Sequence, residues 1–337
     1  MPEITSDSDL PKLVNTAAKR AKWAKKLAVS CLQSAAKRLD NPPMQGMFSR
    51  TLFATLADKS EVVIQFRTEL LDFSSFQVAR EILGDALVPW VRTLEDPELE
   101  GEGVWAYALD RMPGTIWHRG VAGKGAEARI AVNRSLGQVF ARGFVAGSSS
   151  ADAIAQHVRP HLEAIVASPL EEINPYRILC QEYLDQKLRT LEQLPLWIAH
   201  YDLNDVNVLI DAETFEVTAL IDWELSHPLP LGIGFGRVHT LAGEYTGGEF
   251  WMPPEFETAE RSFWGTLFAG IPDAAVKVQL TGQMALVQDA VLLGTLLSTF
   301  YFEDGKVGAA QVPLKALPKF LTYRIPPLRG NDPPYSM

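Results

Sequence analysis

His200-Tyr201-Asp202-Leu203-Asn204-Asp205-Val206-Asn207-Val208-Leu209-Ile210-Asp211, followed by Ile221-Asp222-Trp223-Glu224, is the stretch on which the reading of this chain turns. Turn-forming Asp and Asn residues fill 202–207, and apolar, β-branched residues follow them. The stretch therefore reads as a loop feeding a strand over Val206 to Asp211, paired with a second strand over Glu216 to Ile221. Phosphoryl transfer needs one carboxylate near an acceptor hydroxyl and oxygen ligands for Mg²⁺ on the nucleotide phosphates. An H-x-D-x-x-x-x-N loop and a strand-terminal aspartate supply them. Asp202 is expected to face the acceptor, Asn207 and Asp222 to ligate the metal, and His200 to brace the loop rather than react. An acidic turn arising by chance is the bland alternative, and the order of the polar positions between segments of the right type argues against it.

Working outward, the first third reads as strands. Phe48 to Leu56 and Glu61 to Arg67 form a hairpin across Ala57-Asp58-Lys59-Ser60, a helix covers Phe73 to Leu83, and Ala86 to Thr93 and Val104 to Arg111 are two more strands. Beyond Met112-Pro113-Gly114 helical periodicity dominates, over Glu127 to Val145, Ala151 to Val166, Glu171 to Leu191, Phe256 to Phe268 and Ala274 to Thr299. The result is an α+β arrangement with a small β-rich lobe over 41–113, a larger helical lobe over 114–337 that carries the short strand pair, and a hinge near residue 113.

Residues 1–40 stand apart. They hold eight basic and four acidic residues, a net of +4 that leaves −14 on the rest of a chain whose total is −10. Leu13, Ala17, Ala24, Leu27, Ala28 and Cys31 recur at helical steps, so an amphipathic helix ended by Asn41-Pro42-Pro43 is expected, packed on the acidic body. Its Ala-rich stripe lacks the bulky anchors of a membrane-surface helix.

With 47% hydrophobic and 21% charged residues among 337, the chain has the composition of a globular protein, and its acidity disfavours nucleic acid or an anionic membrane as partner. Cys31 and Cys180 lie in unrelated contexts, which points to neither a disulfide framework nor a zinc site. Lysines and Arg20 interrupt the first thirty residues, and the apolar run from Ala290 to Phe302 is short of the roughly 20 residues of a membrane span. A soluble, cytoplasmic protein without an integral membrane segment is expected.

The loop and the Ile221-Asp222-Trp223-Glu224 run resemble the catalytic loop and metal-binding aspartate of the aminoglycoside phosphotransferase and choline kinase family, related to protein kinases, and are most similar to a large fungal branch of it. The resemblance extends over most of residues 44–300. It implies a two-lobed protein-kinase-like fold and transfer of the γ-phosphoryl of ATP, with Mg²⁺, to a hydroxyl of a small molecule. It places Gln45 to Thr51 at the nucleotide-covering loop, where Gly46 and Ser49 would approach phosphates, and Met112-Pro113-Gly114 at the linker that meets an adenine. One departure stands out. Where the kinase pattern V-A-I-K has its phosphate-binding lysine, this chain has Val62-Val63-Ile64-Gln65. Gln65 can bond a phosphate without neutralising it, and Arg67, two residues on and on the same strand face, is expected to supply the charge, with Glu81 on the following helix as the paired glutamate.

For the acceptor, His227-Pro228-Leu229-Pro230 and Gly243 to Phe256, with Tyr245 and Trp251, lie where the family's acceptor cleft falls; closure of the helical core is the preferred reading of their aromatic residues. Glu224, Glu244 and Glu249 are candidates for attracting an amine. Two other functions compete with phosphotransfer: an inactive kinase-fold binding protein, motivated by Gln65 and the glycine-poor loop, and a relative recruited into secondary metabolism for an ATP-independent reaction.

Overall fold

Alternating apolar and polar residues build the first sheet. In the computed structural model, which describes residues 4–224, 226–303 and 305–329, strands β1 (Ala36–Asp40), β2 (Arg50–Leu56), β3 (Glu61–Arg67), β4 (Val91–Thr93) and β5 (Trp105–Asp110) form an antiparallel sheet in the order β1-β2-β3-β5-β4. Val62, Ile64 and Phe66 of β3 enter an apolar cluster with Leu52, Ala54, Ala106 and Ala108. The period of two puts Gln65 and Arg67 on the other face. The helix Ala17–Leu32 lays Trp23, Ala24, Leu27 and Ala28 into the same cluster, and its Lys26 reaches Asp96 at 2.8 Å.

The expected N-terminal helix is shorter than its sequence boundary. Gln33 takes the left-handed conformation at φ 57° and its N–H bonds to Ala28 O, which ends the helix without a glycine. Ala36–Asp40 then becomes the sheet's edge strand, where Lys37 and Arg38 suit an exposed edge. Of the strand expected over Ala86 to Thr93, only Val91–Thr93 forms.

The chain divides into two units. One takes in the chain as far as Arg80 together with Val88–Met112; the other takes in Glu81–Leu87 together with the chain from Pro113 onward. The second unit is mainly helical. The helices Ala126–Phe140 and Phe256–Gly270 pack closely: a Cβ on Gly137 would lie 2.4 Å from Phe263 O. Around them Phe140, Phe235, Phe263 and Trp264 meet edge to face, with centroids 5.2 to 5.7 Å apart between successive rings. Strands β6 (Thr115–Ile116), β8 (Val208–Ile210) and β9 (Val217–Leu220) form a small sheet in the order β6-β8-β9, and β7 (Leu196–Trp197) pairs with β10 (Leu229–Pro230).

Three long helices of the sequence reading are interrupted. Ile154–Val158 and Tyr183–Lys187 are wide π turns within the first two. Pro160, which has no N–H to donate to the preceding turn, accompanies the first. The third breaks after Gly282 into Ala274–Gly282 and Met284–Thr299, bent by 80°. Among the described residues no single helix is long and apolar enough to cross a membrane.

Candidate active site

The hairpin of β8 and β9 carries the site. Its ladder pairs Val208 with Leu220 and Leu209 with Ala219, and continues one step further as Ile221 N–H donates to Asn207 O at 3.0 Å. Asn207 and Asp222 therefore stand at the same end of the hairpin. β6 flanks the pair, with Thr115 opposite Ile210 and Thr218 Oγ1 donating to Pro113 O at 2.7 Å. Gly114, at φ +110°, fits there because a Cβ would lie 2.2 Å from Thr218 Oγ1.

Within the loop, Asn204 is the internal scaffold. Its Oδ1 accepts from the N–H groups of Val206 and Asn207 at 3.0 and 3.1 Å, and its Nδ2 donates to Asp202 Oδ2 at 3.1 Å. Asn207 Nδ2 donates to Asp202 O at 3.0 Å and to Asp202 Oδ2 at 3.1 Å. Those bonds leave Oδ1 as the Asn207 atom suited to a cation. Asp222 is exposed at the strand end and left-handed, at φ 67°, a conformation uncommon for a side chain other than glycine. An amide oxygen and a carboxylate form a donor set that fits a hard divalent cation completed by phosphate oxygens and water.

His200 is fully buried, donates from Nε2 to Ile221 O at 2.7 Å and packs against the Trp223 ring at 4.8 Å. Burial holds its imidazole below the ordinary pKa, against the opposing pull of the Ile221 carbonyl, Asp202 and Asp222, while the Arg237 charge acts with burial. It therefore stands as a neutral brace joining the loop to the segment that ends in Asp222.

Two contacts were not apparent in the sequence. Asp202 Oδ1 takes a close ion pair from Arg237 Nη1, and His118 Nδ1 meets Asp205 Oδ2 at 3.0 Å on the surface. The alternation Gly232-Ile233-Gly234-Phe235-Gly236 before a single arginine was the available signal for the first.

In the first unit, Gln65 lies half-buried between Thr51 and Tyr107 in the ladder, and Arg67 is buried opposite Trp105. The 45–51 loop is tied by its own side chains: Gln45 bonds Thr51 N and O at 2.8 and 3.0 Å, and Arg50 donates to the carbonyls of Gly46, Ser49 and Ile4. Ser49 is buried with its hydroxyl 3.5 Å from Thr51 Oγ1. Glu81 is exposed on the helix Ser74–Leu83 and belongs to the second unit.

Past Asp222, the hairpin of Glu244–Thr246 and Glu249–Trp251 is held by Arg129, which ion-pairs with Glu244 and with Glu255 at 3.1 Å. Tyr245 and Phe250 pack into a ring cluster with Phe320, whereas Trp251 is half exposed.

A five-stranded sheet followed by a helical part with this polar hairpin defines an α+β fold of the protein-kinase-like phosphotransferases. The chain belongs to the phosphotransferase enzyme family, whose sequence model matches residues 46–253. The Plasmodium vivax ethanolamine kinase is similar in structure, with a TM-score of 0.55, 11% identity, and coverage of 92% of this chain and 90% of that one. A thermostable mutant of aminoglycoside phosphotransferase APH(4)-Ia, solved as a ternary complex with AMP-PNP and hygromycin B, matches with a TM-score of 0.50 and 16% identity over 81% of this chain and 89% of that one. The protein is thus a phosphotransferase by family.

Proposed function

We propose that this protein transfers the γ-phosphoryl of ATP to a hydroxyl of a small molecule. The observation that carries the reading is the loop in which the Asp202 carboxylate accepts from the side-chain amides of Asn204 and Asn207, while His200, just before it in the chain, bonds the Ile221 carbonyl next to Asp222. Asp202 takes the acceptor hydroxyl's proton. Asn207 Oδ1 and the Asp222 carboxylate would hold Mg²⁺, which would supply charge neutralisation at the nucleotide phosphates. His200 keeps both segments in register and exchanges no proton itself. In the first unit we propose Gly46, Ser49, Gln65 and Arg67 as nucleotide contacts, and in the second Glu81 as the helix glutamate of the kinase pattern. Catalysis on this account is mostly positioning and electrostatics. The Asp-Leu-Asn-Asp run supports a place in the fungal branch, and the charge pattern a cytoplasmic setting.

Thermal unfolding with Mg-ATP, compared with Mg²⁺ and ATP separately, tests the reading. Stabilisation that requires both is expected, together with ADP release when a hydroxyl acceptor is supplied. Gln65 in place of a lysine favours a second reading, a kinase-fold protein that binds without transfer or runs an ATP-independent reaction; absence of any joint Mg-ATP effect would select it.

A further inference from the structure

Arg237 is set rigidly beside the acceptor-facing carboxylate. Gly236 before it is pressed onto the helix Met284–Thr299, where a Cβ would lie 2.1 Å from Gly294 C, and Thr295 Oγ1 donates to Gly236 O at 2.8 Å. From that anchor the guanidinium reaches Asp202 with Nη1. A guanidinium carries five N–H donors in a planar fork, so most of them remain for another acceptor group.

Besides its partner Asp202, and Asp222 whose charge reaches the same His200, the groups that feel the Arg237 charge are neutral. The Arg237 charge acts on Tyr201, Tyr245, His239 and His200, and burial keeps both phenols protonated and both imidazoles uncharged. Among the described residues Asp202 is the carboxylate that Arg237 meets. Glu244 and Glu255, further along the chain, pair with Arg129 instead. An amine-bearing acceptor would meet a like charge next to the base, whereas an acid-bearing one would find a fixed cation there.

We propose that Arg237 is the acceptor-binding cation of this site and that the hydroxyl substrate carries an acid group, a carboxylate or a phosphate, within a few bonds of the reacting hydroxyl. The short reach follows from one carboxylate, Asp202, contacting both the hydroxyl and the arginine. In the reaction the substrate oxygen forms a bond to the γ-phosphorus, the bond from that phosphorus to the β,γ-bridging oxygen breaks, ADP leaves, and the hydroxyl proton passes to Asp202. The proposal rests on the phosphotransfer reading above.

The test screens hydroxy acids, including glycerate and glycerol 3-phosphate, against matched neutral and amine compounds, including glycerol and 3-amino-1,2-propanediol. Two readouts are taken on the full chain: thermal stabilisation in the presence of Mg-AMP-PNP, and ADP release from Mg-ATP. Acid-bearing compounds are expected to register, the carboxylate and phosphate arms telling which acid is used. Arg237→Gln should lower kcat/KM for them on the order of 10- to 100-fold while the KM for ATP moves little. Arg237→Lys, which keeps the charge, should retain most of the preference, and Arg237→Glu should shift it towards amines. Hits confined to neutral or amine compounds, no acid-bearing compound registering in either readout, or acid hits unaffected in Arg237→Gln would each overturn the proposal. Stabilisation by Mg-AMP-PNP with those results leaves phosphotransfer standing; its loss removes that reading itself.

Discussion

The Nε2 of His200 donates to the carbonyl of Ile221 at 2.7 Å, and together with the Ile221 N–H to Asn207 O bond this joins the loop of Asp202 to the strand end of Asp222. Because His200 is fully buried, its removal leaves the carbonyl without this donor in an apolar surround. His200→Ala is expected to destabilise the fold by about 1–3 kcal/mol and to weaken Mg-ATP stabilisation and phosphoryl transfer together. A denaturant titration alongside nucleotide thermal shifts checks this. Wild-type stability in the variant would show that the bond is dispensable.

Asp222 is exposed and its backbone is left-handed, so its carboxylate can be changed without opening the core. Asp222→Asn keeps the shape and removes the charge. Calorimetry is expected to show Mg-ATP affinity falling by on the order of tenfold or more while the nucleotide-free protein still unfolds cooperatively. Equal affinity in both proteins would place the metal elsewhere.

For Asp202 the expected pattern is the reverse. Asp202→Asn should leave Mg-ATP binding in place and slow transfer by about 10²-fold or more, the range for losing a general base. Single-turnover rates separate the two steps. Identical rates in wild type and variant would remove Asp202 from the chemistry.

These residues are legible in sequence because hairpin geometry is local: the offset between Asp202 and Asn207 and the strand end at Asp222 follow from a loop and a two-strand ladder. Arg237 is not legible in that way. Its place depends on Gly236 meeting Gly294, a contact between segments distant in the chain whose glycines signal only that something approaches closely. The same limit explains Ala36–Asp40, where helical spacing ran on into residues that pair with β2 instead. It also explains Thr115–Ile116, too short to show a strand period but fixed by β8. Pro160 and Gly282, by contrast, stood in the sequence as breakers inside two helices read as continuous.

A buried ion pair in the second unit gives a test of packing. Arg329 Nη2 bonds Glu260 Oε2 at 2.6 Å, with both residues almost completely enclosed. Burial pushes the Glu260 carboxyl up to about 7 even though Arg329 opposes it, so attraction does not outweigh desolvation. Glu260→Ala leaves the buried arginine with only the Arg324 carbonyl and the more distant Glu257 and should cost about 3–5 kcal/mol, whereas the double replacement Glu260→Met with Arg329→Met should recover most of that loss. A double-mutant cycle in urea measures both. A double variant as unstable as the single would show that the pair is a net source of stability.

His239 supplies the pH dependence. It is buried among Phe250, Phe320 and Tyr323, with ring centroids 4.2 to 5.9 Å away, and burial, aided by the Arg237 charge, lowers its pKa from 6.5 to about 3. A depressed folded-state pKa means that the unfolded chain binds the proton first as pH falls. The stability it contributes is therefore complete above 6.5 and is lost progressively on acidification towards 3. Each such proton gives a slope of about 1.4 kcal/mol per pH unit within that window. His200 shifts in the same direction, so the wild type is expected to show the combined fall. His239→Phe keeps an aromatic ring in the cluster and cannot take the proton, so its stability between pH 6 and 4 should decline less steeply by about one proton's worth. Urea midpoints across that range decide the point. Parallel slopes for the two proteins would mean that the folded state protonates His239 as readily as the unfolded chain does.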